Sequence, residues 1–290
     1  MTCYNFAQIL TGIVITVFRY SADRWPVFLI LSLTLFDFFL YFVVDSFWVL
    51  VGYFLLTIIP KGCICAWNHH HQHTKTFHNT ALNRILEFSY GLHTGTTTNL
   101  WLLHHVLGHH HHYLDQTIDE SRWKRKDGTK MGEIEYTLNV AGTSYYRGYL
   151  VGKRYPKHLR TFLIYTLLTL AIVTSLVFFK PMQGMMLFVI PMITGMLITA
   201  WATYDHHAGL ESDNDFHASY NNMNELFNLF TGNLGYHTAH HHKQGLHWSE
   251  LPALHEKIKH KIPRELYRGS SWDLLIHVPV LKNFLRVDTA

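Results

Sequence analysis

Apolar positions in this chain fall in blocks rather than in stripes. Trp25 to Val44 is almost continuously apolar and is broken by one acid, Asp37. Roughly 20 apolar residues in a helix cross the hydrocarbon of a bilayer, so this block predicts a transmembrane helix. Ser46 to Pro60 follows directly and, carried on through Lys61 to Cys65, completes a first helical hairpin. A second pair, Thr161 to Phe179 and Met182 to Thr203, is divided only by Lys180-Pro181, which fits a tight turn on the far side of the membrane. Phe6 to Phe18 is shorter and leaves two readings open, a further span or an interfacial helix.

The stretch between the pairs is polar. His69 to Arg160 carries Arg122, Lys124, Arg125, Lys126, Lys130, Lys153, Arg154 and Lys157, and an excess of cations marks the cytoplasmic side. An even number of crossings returns the chain to that side. The pattern therefore predicts an all-α integral membrane protein, one domain over 1–290, with at least four transmembrane helices. The two hairpins cover about 26–65 and 161–203, and a cytosolic helical cap covers about 66–160 and 204–290. Pro252, Pro263 and Pro279 punctuate short helices in the tail.

Composition changes this picture little. A content of 48% hydrophobic and 15% charged residues is apolar for a soluble domain and ordinary for a membrane enzyme with a large polar part. The net charge of +4 follows from topology and does not call for nucleic acid. Cys3, Cys63 and Cys65 are too few for a disulfide framework, and Cys63-x-Cys65 lacks the second pair of a zinc site. The N-terminus lacks the basic start and small-residue cleavage site of a secretory signal, so any early apolar segment is expected to be retained.

The chemistry lies in the histidines. They cluster at His69 to His73, at His105 to His110 and at His237 to His241. Residues three and four apart share a helix face, so His69 and His73, His105 and His109, and His237, His240 and His241 can each present imidazoles in one direction. Neutral imidazole binds iron, zinc, copper and nickel, and three such faces in one compartment form a cage. The adjacent His70, His71, His111, His112 and His242 are read as solvated or hydrogen bonded. His104 or His111 fits the pattern as well as a neighbour, and His105 is chosen because it stands four before His109. A different class, a membrane metal carrier, ranks lower because carriers place ionisable groups within their spans, whereas these spans hold few apart from Asp37.

Three motifs carry a resemblance: His-x3-His-x3-Phe (His69, His73, Phe77), His-x2-Gly-His-His (His105, Gly108, His109, His110) and Asn-x2-Tyr-His-x2-His-His (Asn233, Tyr236, His237, His240, His241). Their order, the hairpin between the second and third, and Trp248 with Leu251-Pro252 downstream resemble the histidine boxes of the membrane fatty acid desaturase superfamily. The likeness covers about residues 26 to 255. His70 stands where the family often has Asp, Ala239 where Glu or Gln is common, and Lys243-Gln244-Gly245 lacks a frequent proline.

The resemblance implies two non-haem Fe2+ ions under a cytosolic cap, held by His69, His73, His105, His109, His110, His237, His240 and His241. His206, just after the last span, is carried over as a ninth ligand. Asn233 would bind iron directly or through water, and Asp115, Asp119 and Asp205 would accept imidazole N–H groups behind the metal. The implied reaction is O2-dependent oxidation of an unactivated C–H bond in a fatty acyl chain, first of all desaturation. Decarboxylation to a terminal alkene and hydroxylation on the same site are alternatives. No haem, iron–sulfur or dinucleotide motif occurs in the chain, so electrons would come from a separate protein of ferredoxin, rubredoxin or cytochrome b5 type. Lys124, Arg125, Lys126 or Lys257-x-Lys259-x-Lys261 could attract an acidic donor. The membrane would be a bacterial inner membrane or the endoplasmic reticulum.

Overall fold

A computed structural model describes residues 17–268. Cys3 and most of Phe6 to Phe18 lie outside the described residues. The regular structure among the described residues is helical apart from a parallel pairing of Asn221–Asn222 with Tyr267–Arg268 and two isolated bridges. The principal helices are α1 (Arg24–Val43), α2 (Phe47–His73), α3 (Thr80–Thr94), α4 (Glu133–Gly152), α5 (Pro156–Phe179), α6 (Pro181–His207, with a π-helical turn at Met185–Val189), α7 (Glu225–Thr231), α8 (His237–His242) and α9 (Leu251–Ile258).

Four helices are long and apolar enough to cross a membrane: Ser21–Val43, Phe47–His73, Pro156–Phe179 and Pro181–His207. Large apolar side chains stand exposed along them, among them Phe28, Leu35, Phe42, Leu56, Leu167 and Phe178. An apolar belt of this extent has no place in water, and lipid accounts for it.

The second and fourth spans run further than the hydropathy pattern predicts. α2 does not stop near Cys65, because nothing in Ala66-Trp67-Asn68 interrupts the backbone ladder. The helix ends only at Thr74, where the chain turns extended. Its 27 residues reach about 40 Å at 1.5 Å per residue, beyond the roughly 30 Å of hydrocarbon. The first histidine box is therefore the final stretch of a membrane helix. α6 likewise continues through His206 and His207.

Close approach packs α3 against the fourth span. Gly195 of α6 lies so near the backbone of His93 and Thr94 that a Cβ there would meet it at 2.6 Å. Within this packing α1 and α2 share a buried polar network. Lys61 Nζ lies 2.8 Å from Asp37 Oδ2, and the Tyr53 hydroxyl donates to Asp37 Oδ1 at 2.5 Å. His93 of α3 sits 3.5 Å from the same carboxylate and 2.8 Å from the Thr34 hydroxyl. Each ionisable group thus has a partner, as a low-dielectric surrounding requires.

Candidate metal centre

Three helix ends and one π-helix deliver the imidazoles to one place. His69 and His73 lie one turn apart on α2, with ring centroids 5.0 Å apart. The second box is not α-helical: Leu102–His109 is a π-helix, in which the His110 amide bonds to the His105 carbonyl. The wider turn bonds residues five apart and sets them on neighbouring positions of one face, and His105 and His110 meet Nε2 to Nε2 at 3.0 Å. α8 contributes His240, whose Nε2 lies 2.8 Å from that of His69 and 3.1 Å from that of His110. His69, His73, His105, His110 and His240 thus form one group whose nitrogens all lie within 4.8 Å of one another.

A second group consists of His109, His207 and His241. His109 Nε2 is 3.4 Å from His207 Nε2, and His237 Nε2 is 3.0 Å from the same atom. Helix-face spacing alone would pair His105 with His109 and keep His237, His240 and His241 together. The π-helix instead sends His109 to the second group, and α8 divides its histidines between the two.

The pattern did not single out His207. It continues the buried positions Ala200 and Thr203 at i+7 and i+4 along α6, which is the signal that could have found it. His206 is also buried, stacks on His237 with centroids 3.9 Å apart and 11° between planes, and lines the cavity described below.

The other expected residues separate by position. Asp119 Oδ1 lies 2.8 Å from His109 Nδ1 and also accepts from the Ser121 amide at 2.8 Å. Asp115 is exposed and accepts from the Thr117 amide and hydroxyl. Asp205 is half-buried near the end of α6. Asn233, with a left-handed φ of 61°, donates its amide to the Trp248 carbonyl at 3.2 Å. Of the adjacent histidines, His70 Nε2 sits 3.0 Å from the Thr231 carbonyl, His71 lies between Thr76 and Glu87, His242 pairs with Asp215 at 3.0 Å, and His111 is exposed. His104 is fully buried against Trp101, and neither of its ring nitrogens has a hydrogen-bond partner.

The donor set fits metal. Several buried ring nitrogens have no hydrogen-bond partner, including Nε2 of His73 and both nitrogens of His241. His240 Nε2 faces two other Nε2 atoms at once, which one proton per imidazole cannot satisfy. A cation with imidazole bonds of about 2.1 Å at right angles separates neighbouring nitrogens by about 3.0 Å, close to the spacing found. Burial first, and the neighbouring imidazoles after it, hold His105, His110, His237, His240 and His241 well below the ordinary histidine value of 6.5. Neutral imidazole is the form that binds metal. Behind the cage, Asp119 at His109 Nδ1 and the Ala218 carbonyl, 2.9 Å from His207 Nδ1, fix which nitrogen each ring presents.

An apolar cavity of about 600 Å³ leads to this cage. It begins between the spans at Ile58, Ile59 and Thr194 and ends at His69, His105, His206 and His237. Ile58 and His69 are eleven positions apart on α2, so the cavity extends roughly 16 Å along the helix. Cys63 and Cys65 line it as free thiols.

Fold and site together define a helical protein with four candidate membrane spans and two adjacent buried histidine groups, each able to hold a metal ion, at the end of an apolar cavity. The family model described as Fatty acid desaturase matches residues 45–272, and the chain belongs to that family. Searches of the curated proteins and of the solved structures gave no match. Membership supports an oxidation of fatty acyl substrate that uses O2, and the histidine groups are compatible with metal binding.

Proposed function

We propose that this chain is an O2-dependent dimetal oxidase that introduces a double bond into a fatty acyl chain. The observation that carries this reading is the apolar cavity running from between the spans to His69, His105 and His237. An acyl chain enters it from the bilayer without crossing water, and a dry cavity protects the reactive oxidant. His69, His73, His105, His110 and His240 would hold one iron; His109, His207 and His241, with His237 beside them, the other. Bound there, two ferrous ions would activate O2, the oxidant that breaks an unactivated C–H bond.

The protein's own groups orient and enclose. Asp119 and the Ala218 carbonyl hold the rings of His109 and His207 with Nε2 inward. Among the described residues lining the cavity, none is Lys or Arg, and Glu133 is engaged by the Trp201 indole at 2.5 Å. A free carboxylate therefore finds no side-chain cation beside the imidazoles, which favours attack along the chain over decarboxylation at its head. Electrons come from a separate donor protein on the face that carries the histidines.

Metal analysis and product analysis test this. Purified protein is expected to carry about two irons per chain, to consume O2 with an acyl substrate and a reductase system, and to yield unsaturated acyl chains by mass spectrometry. Alkenes or hydroxy acids as products would reassign the outcome. Zinc alone, with no oxygen uptake, would sink the oxidase reading and favour a metal carrier.

A further inference from the structure

An aromatic file leaves the five-histidine group through residues that do not line the cavity. His70 lies against His240 with centroids 6.2 Å apart, Trp67 follows at 6.2 Å from His70, and Trp248 at 5.1 Å from Trp67. Trp67 is 6% exposed, and Trp248 is half-buried at the outer end. Gly232 makes the inner stretch compact: a Cβ there would meet the Trp67 ring at 2.6 Å and His70 at 3.1 Å.

Two features distinguish this file from ordinary packing. The Trp248 indole N–H donates to Asp23 Oδ1 at 2.7 Å, and His247 Nε2 lies 3.1 Å from the same oxygen. A buried carboxylate at the indole nitrogen stabilises positive charge on that ring and can take its proton. The file also ends on an imidazole placed in the metal cage, so it joins the site of oxidation to the surface by ring contacts alone.

We propose that Trp248 and Trp67 form an electron relay between the surface and the five-histidine group, draining oxidising equivalents when no acyl chain occupies the cavity. The proposal rests on the dimetal oxidase reading above. Trp67 gives one electron across His70 toward the oxidised site and becomes a cation radical. Trp248 returns one electron to Trp67, passes its indole proton to Asp23 and is left as a neutral radical. A one-electron reductant at the surface, such as a thiolate or a reduced iron–sulfur or haem protein, restores Trp248, and Asp23 returns the proton. One electron has then moved inward and the protein is unchanged.

The test uses the iron-loaded full chain in detergent with O2 and reductant but no acyl substrate. Freeze-quench electron paramagnetic resonance with ring-deuterated tryptophan reads the radical, and peptide mass spectrometry reads oxygen addition to each tryptophan. The expected result is a radical whose signal narrows on deuteration and oxygen addition at Trp248, both falling at least about tenfold in Trp67→Phe and severalfold in Asp23→Asn. In Trp67→Tyr, which keeps a large ring in the core, the radical should acquire a tyrosyl signature. Unchanged Trp248 oxidation in Trp67→Phe, at normal iron content and normal substrate-dependent oxygen uptake, overturns the relay alone. Absence of iron or of oxygen uptake in the unmodified chain overturns the oxidase reading and the relay with it.

Discussion

His109 Nδ1 and Asp119 Oδ1 lie 2.8 Å apart, both buried. That bond reserves Nε2 of His109 for the cage. Groups that orient a metal-bound imidazole are typically worth 10 to 100-fold in metal affinity or activity, and Asp119→Asn is expected to lose about that much. Iron stoichiometry together with turnover in the purified variant checks it. A variant that keeps its full iron content and rate would show that Asp119 serves only the turn before Ser121.

The neighbours His206 and His207 have different geometric roles. His207→Ala is expected to lower iron from about two to about one per chain, because it removes one of three imidazoles from a group. His206→Ala should retain more metal and change acyl binding, since His206 lines the cavity. Metal analysis of the two variants side by side decides the assignment, and the reverse result would exchange the residues.

Acid should destabilise the metal-free protein. His105, His110, His237, His240 and His241 resist protonation when folded, whereas in the unfolded chain they take up protons near the ordinary value of 6.5. Below that pH the unfolded state binds more protons, so stability falls as pH falls and levels off only once the folded state protonates as well. Thermal melting of the metal-stripped protein should drop steadily from about pH 7 to about pH 5. A flat profile would contradict the buried, neutral cage.

Cavity length should set chain length. Thr194 lies at the end remote from the histidines, and Thr194→Trp fills that end. Products should shift toward shorter acyl chains while iron content is unchanged, as gas chromatography of the lipids would show. An unaltered chain-length profile would mean that the acyl group takes another path.

The Lys61 and Asp37 side chains are 5% and 1% exposed. Removing one partner of such a pair strands a buried charge, at a cost of about 3–5 kcal/mol. Asp37→Asn should therefore lower the unfolding temperature sharply, and the double change Asp37→Asn with Lys61→Met should recover part of the loss. Equal destabilisation in both would mean that Tyr53 and His93, not Lys61, are the partners that matter.

Much of this architecture is legible in the chain because bilayer thickness imposes a block length on apolar residues, as from Trp25 to Val44. The ends of α2 and α6 were not legible, since a helix without a stop residue continues into the polar segment and carries His69 to His73 or His206 and His207 with it. Histidine spacing pointed to convergence but not to the partition into two groups. That partition depends on the backbone hydrogen-bond pattern at His105 to His110, and residue identity alone does not display a change from four-residue to five-residue periodicity. Asp119 was recognisable only as an acid after the box; its contact with His109 depends on the turn at Asp115 to Ser121.

The π-helix Leu102–His109 acts as a gauge block. One wide turn of main chain carries His105 and His110 to one group and His109 to the other, so the interval between the two groups is set by peptide geometry rather than by flexible side chains. Deleting a single residue from that turn would narrow it to an ordinary helix and move both sets of imidazoles together, so that neither group could be retuned without disturbing the other.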